Sequence, residues 1–526
     1  MTRTLSFFLV AALVCLAAWS LLWGAGSEQQ KLTVSELRDK IAGGWAGQMI
    51  GVSYGAPTEF RALGRILEDK EIPAWRPDRI SNALSQDDLY VDMTFAKVLD
   101  DKGLDASTED FGAMFRDAKY GLWHANLAAR RNLRRGVPAK LSGTPQYNVH
   151  ANDIDFQIEA DFIGMMTPGL PSAATDIAWR AGRVMNYGDG IYGGIFVSCM
   201  YAAAFFEKDP RTIVEAGLAC LPRKSPYAQT ISDVLAWHKE QPEDWIAVWN
   251  RLQEKWDKRD PCPSGALRPF NIDAKLNGAY IALGLLYGRG DMERTLNIST
   301  RCGQDSDCNP SSAAGILGVV LGYSGIPDIW KSGIPAIADK KFAYTDFSFN
   351  SIVESNQKRA LAVIMRHGGR LQGDTVLVKT QKPKATRLEV WDDYGSPVER
   401  IATDDSRWRW SEGWNIATPE ERRKAPAPRW TSQKGAEASV TFQGTGVILA
   451  GPYLGAGGKA DIYLDGKFQK TVDVCSDERG NKGNESVWHA FKLPNRRHTL
   501  RIVVRGEPYG ESKGADVGIE DLVVFR

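Results

Sequence analysis

The amino-acid sequence predicts a multidomain protein in which an all-α domain is followed by an all-β sandwich. Between residues 31 and 345, apolar segments such as "GGIFVSCMYAAAFF" and "SSAAGILGVVLGYSG" are rich in alanine and glycine, and they are too short or interrupted for membrane spans. From Ala438 onward, alternating segments such as "SVTFQ" and "HTLRIVV" are separated by turn residues, and Asp465–Gly466 is a strong hairpin signal. The chain of 526 residues is long enough for both cores.

The N-terminal segment has the features of an export signal. Arg3 precedes an uncharged apolar stretch from Leu5 to Trp23, and Gly24 and Gly26 supply small residues for cleavage. The same stretch is also long enough for an uncleaved anchor. We prefer a signal peptide over residues 1–26, which predicts a periplasmic or extracellular protein with no other membrane span.

The rest of the chain divides into three parts. Residues 31–345 form the predicted all-α domain, residues 346–430 a connecting helix, strands and linker, and residues 431–526 the β-sandwich. Trp488 is predicted to be a core residue, whereas Trp408, Trp410 and Trp414 suit either the core or a sugar-stacking surface. The sandwich is therefore a candidate carbohydrate-binding module.

Composition narrows the classes of partner. The net charge of +1 gives no reason to expect nucleic acid, so the predicted partner is a small-molecule or glycan substrate. The six cysteines beyond the signal segment form no CxxC pair, which argues against structural zinc. In an oxidising compartment the sequence allows one or two disulfide bonds, but it assigns no pairing.

The first helix carries a cap and a glycine stripe. In "KLTVSELRDKIAGGWAGQMIGVSYGAPTEF", Thr33 and Glu36 are spaced as a capping box. Glycines then recur every four residues, which places them on one face of the helix and predicts that another backbone approaches closely. The four positions are Gly43, Gly47, Gly51 and Gly55.

Two acidic motifs each precede a predicted helix. "LSQDDLYVDM" contains Asp87 and Asp88, and "RCGQDSDCNPSS" contains Asp305 and Asp307. Helix capping explains part of this pattern, with Ser85 and Asp88 as a capping box in the first motif. In the second motif, Asn309 would be the N-cap and Pro310 the first helical residue.

Capping leaves the second carboxylate of each motif unexplained. Asp92 also lies one turn beyond Asp88, where a like charge costs stability unless a cation neutralises it. Carboxylate oxygens are the ligands that hard divalent cations prefer. We therefore interpret the two motifs as halves of one metal site.

Four segments resemble the ADP-ribosylglycohydrolase family in chain order over roughly residues 33–345: "DKIAGGWAGQMIGVSYGAPTEF", "SQDD", "YGDGIYGGIFVSCMYAAAF" and "GQDSDCNPSSAAGILGVVLG". The resemblance implies an all-α fold with a two-metal magnesium or manganese centre, and hydrolysis of the bond between a ribose anomeric carbon and a protein side chain or a related bond. Glu59 falls at the family's active-site glutamate. The positions of its metal-ligating aspartates are occupied by Asp87, Asp88, Asp305 and Asp307.

The sequence departs from the family at two metal-centre positions. Gln86 and Cys308 stand where many members have threonine. The Gln86 side chain still offers a hard oxygen and is kept as a metal-ligand candidate, but a thiol is a poor magnesium ligand. We therefore expect one tight Mg²⁺ or Mn²⁺ site, with a second site weak or empty.

The middle loop also departs from the family, whose members commonly have a Gly- and Asn-rich loop that holds adenosine-ribose. Here "NDIDFQIEADFIGMMTPG" supplies Asp155, Glu159 and Asp161, which would repel a pyrophosphate and suit the hydroxyls of a neutral sugar. A solvated helix face is the alternative for these three residues. Asp189, in "YGDGIYGG", is a fourth substrate-binding candidate.

These residues predict an exported, metal-dependent hydrolase of a glycosidic bond in a ribose-like or other furanosyl or sugar substrate. The cation would orient vicinal hydroxyls and polarise a water, and Glu59 would act as general base or proton donor. Removal of ADP-ribose from a modified acceptor is the closest alternative, and a non-catalytic glycan-binding surface protein is the second. The scattered histidines are predicted to be structural, with a functional role kept open for His124 and His150.

Overall fold

The computed structural model describes residues 29–257, 260–391, 394–418, 420–510 and 512–526. The predicted signal peptide, residues 1–26, lies outside the described residues. The predicted order of a helical domain followed by antiparallel sheets is confirmed. Within the described ranges no single helix is long and apolar enough to cross a bilayer, and one bent pair, Cys308–Gly325 with Asp328–Ala336, meets that test by length and composition only.

The helical domain begins with a short strand and continues as a series of helices joined by short loops. The strand is β1 (Gln29–Thr33). The helices are α1 (Val34–Gly55), α2 (Asp87–Lys102), α3 (Thr108–Asp117), α4 (His124–Arg134), α5 (Ala139–Ser142), α6 (Asp155–Ile158), α7 (Asp161–Met165), α8 (Pro171–Gly182), α9 (Asp189–Ala204), α10 (Pro210–Ala219), α11 (Pro226–Glu240), α12 (Trp245–Trp256), α13 (Ala274–Gly288), α14 (Met292–Arg301), α15 (Cys308–Gly325), α16 (Asp328–Lys331) and α17 (Phe349–Arg366). Short 3₁₀ turns include Ala56–Thr58, Asp69–Glu71, Pro77–Ser85 and Ile334–Ala336.

Helix α1 starts at the predicted capping box. The Thr33 hydroxyl accepts a hydrogen bond from the Glu36 amide at 3.0 Å, and the Glu36 carboxylate accepts one from the Thr33 amide at 2.6 Å. These bonds satisfy amides that a helix start otherwise leaves without partners. The predicted capping box is confirmed.

The glycine stripe of α1 lies directly against α15. A Cβ atom at Gly47 would be 2.1 Å from the Ala314 carbonyl oxygen, and one at Gly51 would be 2.2 Å from the Pro310 carbonyl oxygen. Such distances are far below van der Waals contact, so only glycine allows the two backbones to pack this closely. The predicted close approach of a second backbone is confirmed, and that backbone is the helix that follows the second acidic motif.

The β region contains two packed antiparallel sheets and two small sheets. The strands are β2 (Arg370–Gln372), β3 (Thr375–Lys379), β4 (Pro397–Ala402), β5 (Trp408–Trp410), β6 (Asn415–Ile416), β7 (Arg429–Thr431), β8 (Glu437–Gly444), β9 (Gly446–Tyr453), β10 (Gly458–Leu464), β11 (Lys467–Asp473), β12 (Lys482–Ala490), β13 (Arg496–Pro508), β14 (Val517–Ile519) and β15 (Asp521–Phe525). The sheet orders are β11-β10-β13-β8-β5, β12-β9-β15-β4, β1-β3-β2 and β14-β7-β6. The pairing of β1 with β3 ties the start of the helical domain to the segment that follows α17.

The two larger sheets share one apolar core, as a sandwich requires. Val440 and Ile462 come from one sheet and Leu449 and Val524 from the other, and all four are buried in the same cluster. Trp488 is also buried there, as predicted. The Trp408 ring is buried and stacks on Trp410, while Trp410 and Trp414 pack partly buried against the core.

Two arginines of helix α4 and the arginine directly after it bind the β region to the helical domain. Arg130 forms a buried ion pair with Glu478, and Arg131 donates to the Asp473 carboxylate at 2.6 Å. Arg135 donates to both Asp473 and Asp477. Because charges removed from water are stable only when they are well paired, this network fixes the loop between β11 and β12 against α4.

Two local sequence expectations are wrong. Helix α2 begins at Asp87 with Gln86 as N-cap, and α15 begins at Cys308 with Asp307 as N-cap, neither with a side-chain cap. Ser85 instead donates to the Asn82 carbonyl, and Asn309 donates to the Asn277 side chain. Helix α2 therefore starts one residue later, and α15 two residues earlier, than the capping patterns indicate, and in both cases the paired carboxylates occupy the mouth of the helix. All six described cysteines are free thiols.

We expect Gly47→Ala to lower the free energy of unfolding by about 1–3 kcal/mol, the usual cost of overpacking a tight interface. The added methyl group would clash with the backbone at Ala314, so α1 and α15 would have to separate. The shift in the thermal or urea unfolding midpoint of the helical domain measures this effect.

Gly455→Ala is the matched control, since Gly455 is exposed and a Cβ there would meet no atom within 4 Å. Equal stability of the Gly47→Ala and Gly455→Ala variants would contradict the close-packing interpretation.

Candidate metal centre

The acidic motifs meet at one cavity of about 730 Å³, whose wall also includes the turn that follows α1. Glu59, Asp87 and Asp305 line this cavity together with Gln86 and Cys308. Its volume is in the range of ligand pockets, about 300–1,000 Å³. The cavity therefore places the predicted active-site glutamate and both acidic motifs around one space that can hold a substrate.

The glycine stripe brings these segments together. At its C-terminal end, a Cβ atom on Gly55 would be 2.0 Å from the Ser306 carbonyl oxygen, so the end of α1 lies directly on the second acidic motif. The Thr58 hydroxyl is 2.9 Å from the Ser306 hydroxyl, and the Phe60 amide donates to the Gln304 carbonyl at 3.0 Å. Glu59 lies between these two contacts and is held beside Asp305 and Asp307.

Carboxylate oxygens converge in two adjoining groups. One ligand atom each from Glu59, Asp305 and Asp307 lie within 4.8 Å of one another, and the same is true of Asp88, Asp307 and Cys308. Asp307 belongs to both groups and is therefore the centre of the cluster. Asp87, the fourth predicted aspartate, lies beside Asp88 in the first turn of α2 and lines the cavity wall.

Three oxygens of this cluster fit a cation. One oxygen on each of Asp88, Asp305 and Asp307 is buried and has no hydrogen-bond partner among the described residues. Buried carboxylates without partners are costly, and close like charges add to that cost. Hard oxygen donors at this spacing suit Mg²⁺ or Mn²⁺, whose charge would offset both costs.

The raised pKa values of the clustered carboxyls also favour a bound cation. Desolvation and the charge of Asp307 raise the pKa of Glu59 to about 8, although its side chain is accessible at the cavity wall. The same two causes raise the pKa of Asp87 to about 6 and that of Asp88 well above its usual value. Without a cation, the cluster therefore retains protons near neutral pH.

Cys308 does not resemble a magnesium ligand in this setting. Its thiol donates to an Asp88 carboxylate oxygen at 3.4 Å. Burial and the neighbouring carboxylates raise the pKa of the thiol well above its usual value, which keeps it protonated. A neutral thiol binds hard cations poorly, so the second oxygen group lacks one hard donor.

The middle-loop carboxylates are buried, so the alternative of a solvated helix face is wrong. Asp155, Glu159 and Asp161 are at most 7% exposed. Asp155 lines the cavity, and its oxygens accept hydrogen bonds from the amides of Ala125 and Asn126 at the start of α4. Its carboxylate thus caps a helix as well as facing the cavity.

The structure does not bring the other three substrate-binding candidates to the cavity wall. Glu159 accepts a hydrogen bond from the Asn126 side chain, and Asp161 lies near Asp92 beneath α2. Asp189 accepts from the Tyr227 amide at 3.2 Å, at the start of α11. These carboxylates position helices behind the site.

Sequence reasoning left a functional role open for His124 but missed much of the rest of the cavity wall. His124 lines the cavity with its ring stacked on Phe270, and burial lowers its pKa to about 3, so the ring is neutral. The other histidine left open, His150, is buried and paired with Asp153 at 2.8 Å. The five residues Asn481 to Glu485 also line the cavity, and they come from the β region. No motif in the sequence marks them.

The family comparison agrees with this geometry. The model described as ADP-ribosylglycohydrolase matches residues 33–354, which covers α1 and both acidic motifs. No curated protein sequence matches the chain.

Two of the similar solved structures show how far the likeness extends. A structure described as "ADP-ribosylglycohydrolase-related protein complex" has 15% identity and a TM-score of 0.40, covering 62% of this chain and 99% of that chain. The second is a two-domain esterase active on acetylated mannans, co-crystallized with mannopentaose. It has 13% identity and a TM-score of 0.22, covering 36% of this chain and 49% of that chain.

We expect the chelator-stripped protein to lose stability as the pH rises from about 4 to about 8. The folded pKa values are about 8 for Glu59 and about 6 for Asp87, whereas unfolded carboxyls titrate near 4. The folded state therefore binds more protons over this interval, and their removal destabilises it.

Adding Mg²⁺ or Mn²⁺ should raise the unfolding midpoint more at pH 8 than at pH 5, because the ion competes with those protons. Urea unfolding at both pH values, with and without the cation, measures this. A cation effect that is equal or larger at pH 5 would contradict the assignment.

The Cys308→Thr variant should gain a second divalent-cation site. The unchanged chain is expected to bind one Mg²⁺ or Mn²⁺ ion tightly, and the hydroxyl would supply the missing hard oxygen. Calorimetric titration of chelator-stripped protein gives the stoichiometry, with Cys475→Ser as the control in the β region. Two equivalent tight sites in the unchanged chain would show that Cys308 does not limit binding.

Proposed function

The chain belongs to the ADP-ribosylglycohydrolase family, and from this premise we propose that it is an exported hydrolase that uses Mg²⁺ or Mn²⁺ to cleave a glycosidic bond in a sugar-derived substrate. The family is generally hydrolytic and usually metal-dependent. The proposal adds the cation's identity, the export and the substrate class.

One observation carries the proposal: three aspartates with buried, unpartnered carboxylate oxygens belong to two adjoining ligand groups that share Asp307, beside a cavity that also exposes Glu59. Asp88, Asp305 and Asp307 would hold the cation, with Asp87 and Gln86 at the adjoining wall. A bound cation would supply Lewis-acid polarisation and a fixed point for vicinal sugar hydroxyls. A purely structural cluster of carboxyls would not need to border a substrate-sized cavity.

Glu59 is the residue placed to move a proton. Its carboxyl borders the cavity, and a pKa near 8 means that it carries a proton at neutral pH when no cation is present. A carboxylic acid with a raised pKa can donate that proton to the departing oxygen, and its ionised form can accept one from water. Both steps belong to glycosidic-bond hydrolysis through an oxocarbenium-like transition state.

Further groups at the wall suit a sugar ring. His124 is neutral and offers ring nitrogens for hydroxyl contacts, while Asp155 presents a carboxylate. Phe60 and Phe270 pack with ring centroids 5.1 Å apart and supply an aromatic face beside them. Polar groups next to aromatic rings are the usual combination for recognising a sugar.

Removal of ADP-ribose from a modified acceptor is the second candidate, favoured by the family itself. The expected repulsion of a pyrophosphate now depends on Asp155 alone among the middle-loop carboxylates, since Glu159 and Asp161 lie behind the wall. Export and the attached sandwich favour the sugar substrate, because reversal of an intracellular modification needs no signal peptide.

We expect Glu59→Gln to lower turnover roughly 10²–10⁴-fold, the range for loss of a general acid or base, while the fold is kept. A panel of aryl furanosides, aryl pyranosides and ADP-ribosyl peptides, assayed with and without EDTA, identifies the substrate and measures the loss. EDTA should abolish the activity and excess Mg²⁺ or Mn²⁺ should restore it.

Glu254→Gln is the matched control, because Glu254 is exposed on α12 and far from the catalytic motifs in sequence. Near-normal turnover in a correctly folded Glu59→Gln protein would remove Glu59 from the mechanism. EDTA-resistant turnover would remove the cation.

A further inference from the structure

The cavity is lined by residues from both parts of the chain. Strand β12 starts at Lys482, and the residues Asn481 to Glu485 line the same cavity as Glu59, Asp87 and Asp305. The sandwich was expected to be a separate binding module. Its strand instead forms part of the wall around the candidate metal centre.

This part of the wall is held firmly in place. The Arg130–Glu478 ion pair and the Asp473 contacts of Arg131 fix the segment just before β12. After it, Asn484 is held twice, because its side chain accepts from Arg268 at 2.7 Å and its amide donates to Glu520 at 2.8 Å. Residues fixed on both sides can position a substrate group with little loss of freedom on binding.

Lys482 differs from the rest of the wall in its charge. Among the described residues that line the cavity, it is the only lysine or arginine. Its ammonium lies 4.2 Å from the centroid of the Trp123 ring, which is half exposed at the same wall. The indole face keeps the ammonium at the cavity by a cation–π contact.

The Lys482 ammonium has no hydrogen bond and no carboxylate within ion-pair distance in the described part of the chain. The two nearest acidic influences, Glu478 and Glu485, already face Arg130 and His150. Burial lowers the pKa of Lys482 below its ordinary value, since a half-buried ammonium is poorly hydrated. A cation in this setting is stabilised by an anion that enters the cavity.

We propose that Lys482 binds an anionic group of the substrate, so that the β region selects acidic substrates for the metal centre. The shared chemistry is a carboxylate, sulfate or phosphate on a sugar, held by the ammonium above Trp123 while the bond to be cleaved lies at the carboxylate cluster. The inference rests on the proposed function for the reaction, but the binding step stands apart from it.

Binding of small acidic sugars to the full-length protein with Mg²⁺ present tests the inference. Calorimetry compares a hexuronic acid, a sugar sulfate and ADP-ribose with a neutral hexose of the same size. We expect at least one acidic sugar to bind more tightly than the neutral one. Lys482→Met should weaken that binding roughly 10- to 100-fold, the range for a hydrogen bond to a charged group.

Two variants make the comparison specific. Lys482→Arg keeps the positive charge and should retain most of the binding. Lys467→Met removes an exposed lysine at the β10–β11 hairpin, outside the cavity wall, and should change nothing. The acidic sugar that depends on Lys482 identifies the anion. If only the binding of ADP-ribose depends on Lys482, then Lys482 contacts the phosphates, and the second candidate function is favoured.

Equal binding by Lys482→Met and the unchanged protein would overturn the inference, as would equal affinity for acidic and neutral sugars or no binding of any of them. Hydrolysis of neutral glycosides with no Lys482 effect would leave the proposed function in place and reject this inference. Lys482-dependent binding without hydrolysis of any glycoside in the panel would support this inference and reject the proposed function.

Discussion

The contact between the backbones of α1 and α15 is the constraint on which the rest of the site depends. Four glycines let the carbonyls of α15 and its preceding loop approach α1 to distances that any Cβ atom would forbid. The last of them, Gly55, sets the second acidic motif directly on the turn that carries Glu59. A glycine inside a helix costs about 1 kcal/mol relative to alanine. Here the cost is offset by a close packing that no larger residue would permit.

That packing also concentrates negative charge. Asp88, Asp305 and Asp307 are removed from water, each with an oxygen that has no partner among the described residues, and the charge of Asp307 raises the pKa of both Asp88 and Asp305. A protein gains nothing in stability from such a cluster by itself, since desolvation and repulsion both oppose it. A divalent cation would offset both effects at once, and Asp305 places the cluster at the wall of a cavity from which such an ion could enter.

The β region has a more direct role than an attached module would have. Buried arginine–carboxylate pairs hold the β11–β12 loop on α4, and β12 then contributes its first residues to the cavity. Of the tryptophans that suited either the core or a sugar-stacking surface, Trp408 is buried in the sandwich core, and Trp410 and Trp414 pack partly buried against it. Any selection by the β region would therefore take place at the metal centre, through Lys482 and its neighbours.

The sequence by itself determined the features that depend on local spacing. The helical domain, the α1 cap, the glycine stripe, the hairpin at Asp465 and the carboxylates clustered within each acidic motif all follow from residues a few positions apart, where periodicity and turn chemistry act. The helix caps at Ser85 and Asn309 were the exception, because tertiary packing of the carboxylates decided where those helices begin.

Only the tertiary structure decided which distant residues share the cavity. Asp155 reaches the wall while Glu159 and Asp161, only a few residues further on, are buried behind it, and nothing in their spacing separates them. Lys482 lies almost four hundred residues after Asp87 in the chain, in a domain of a different fold class. Its place beside Trp123 results from ion pairs between separate domains, and contacts of that kind leave no periodic pattern in a single sequence.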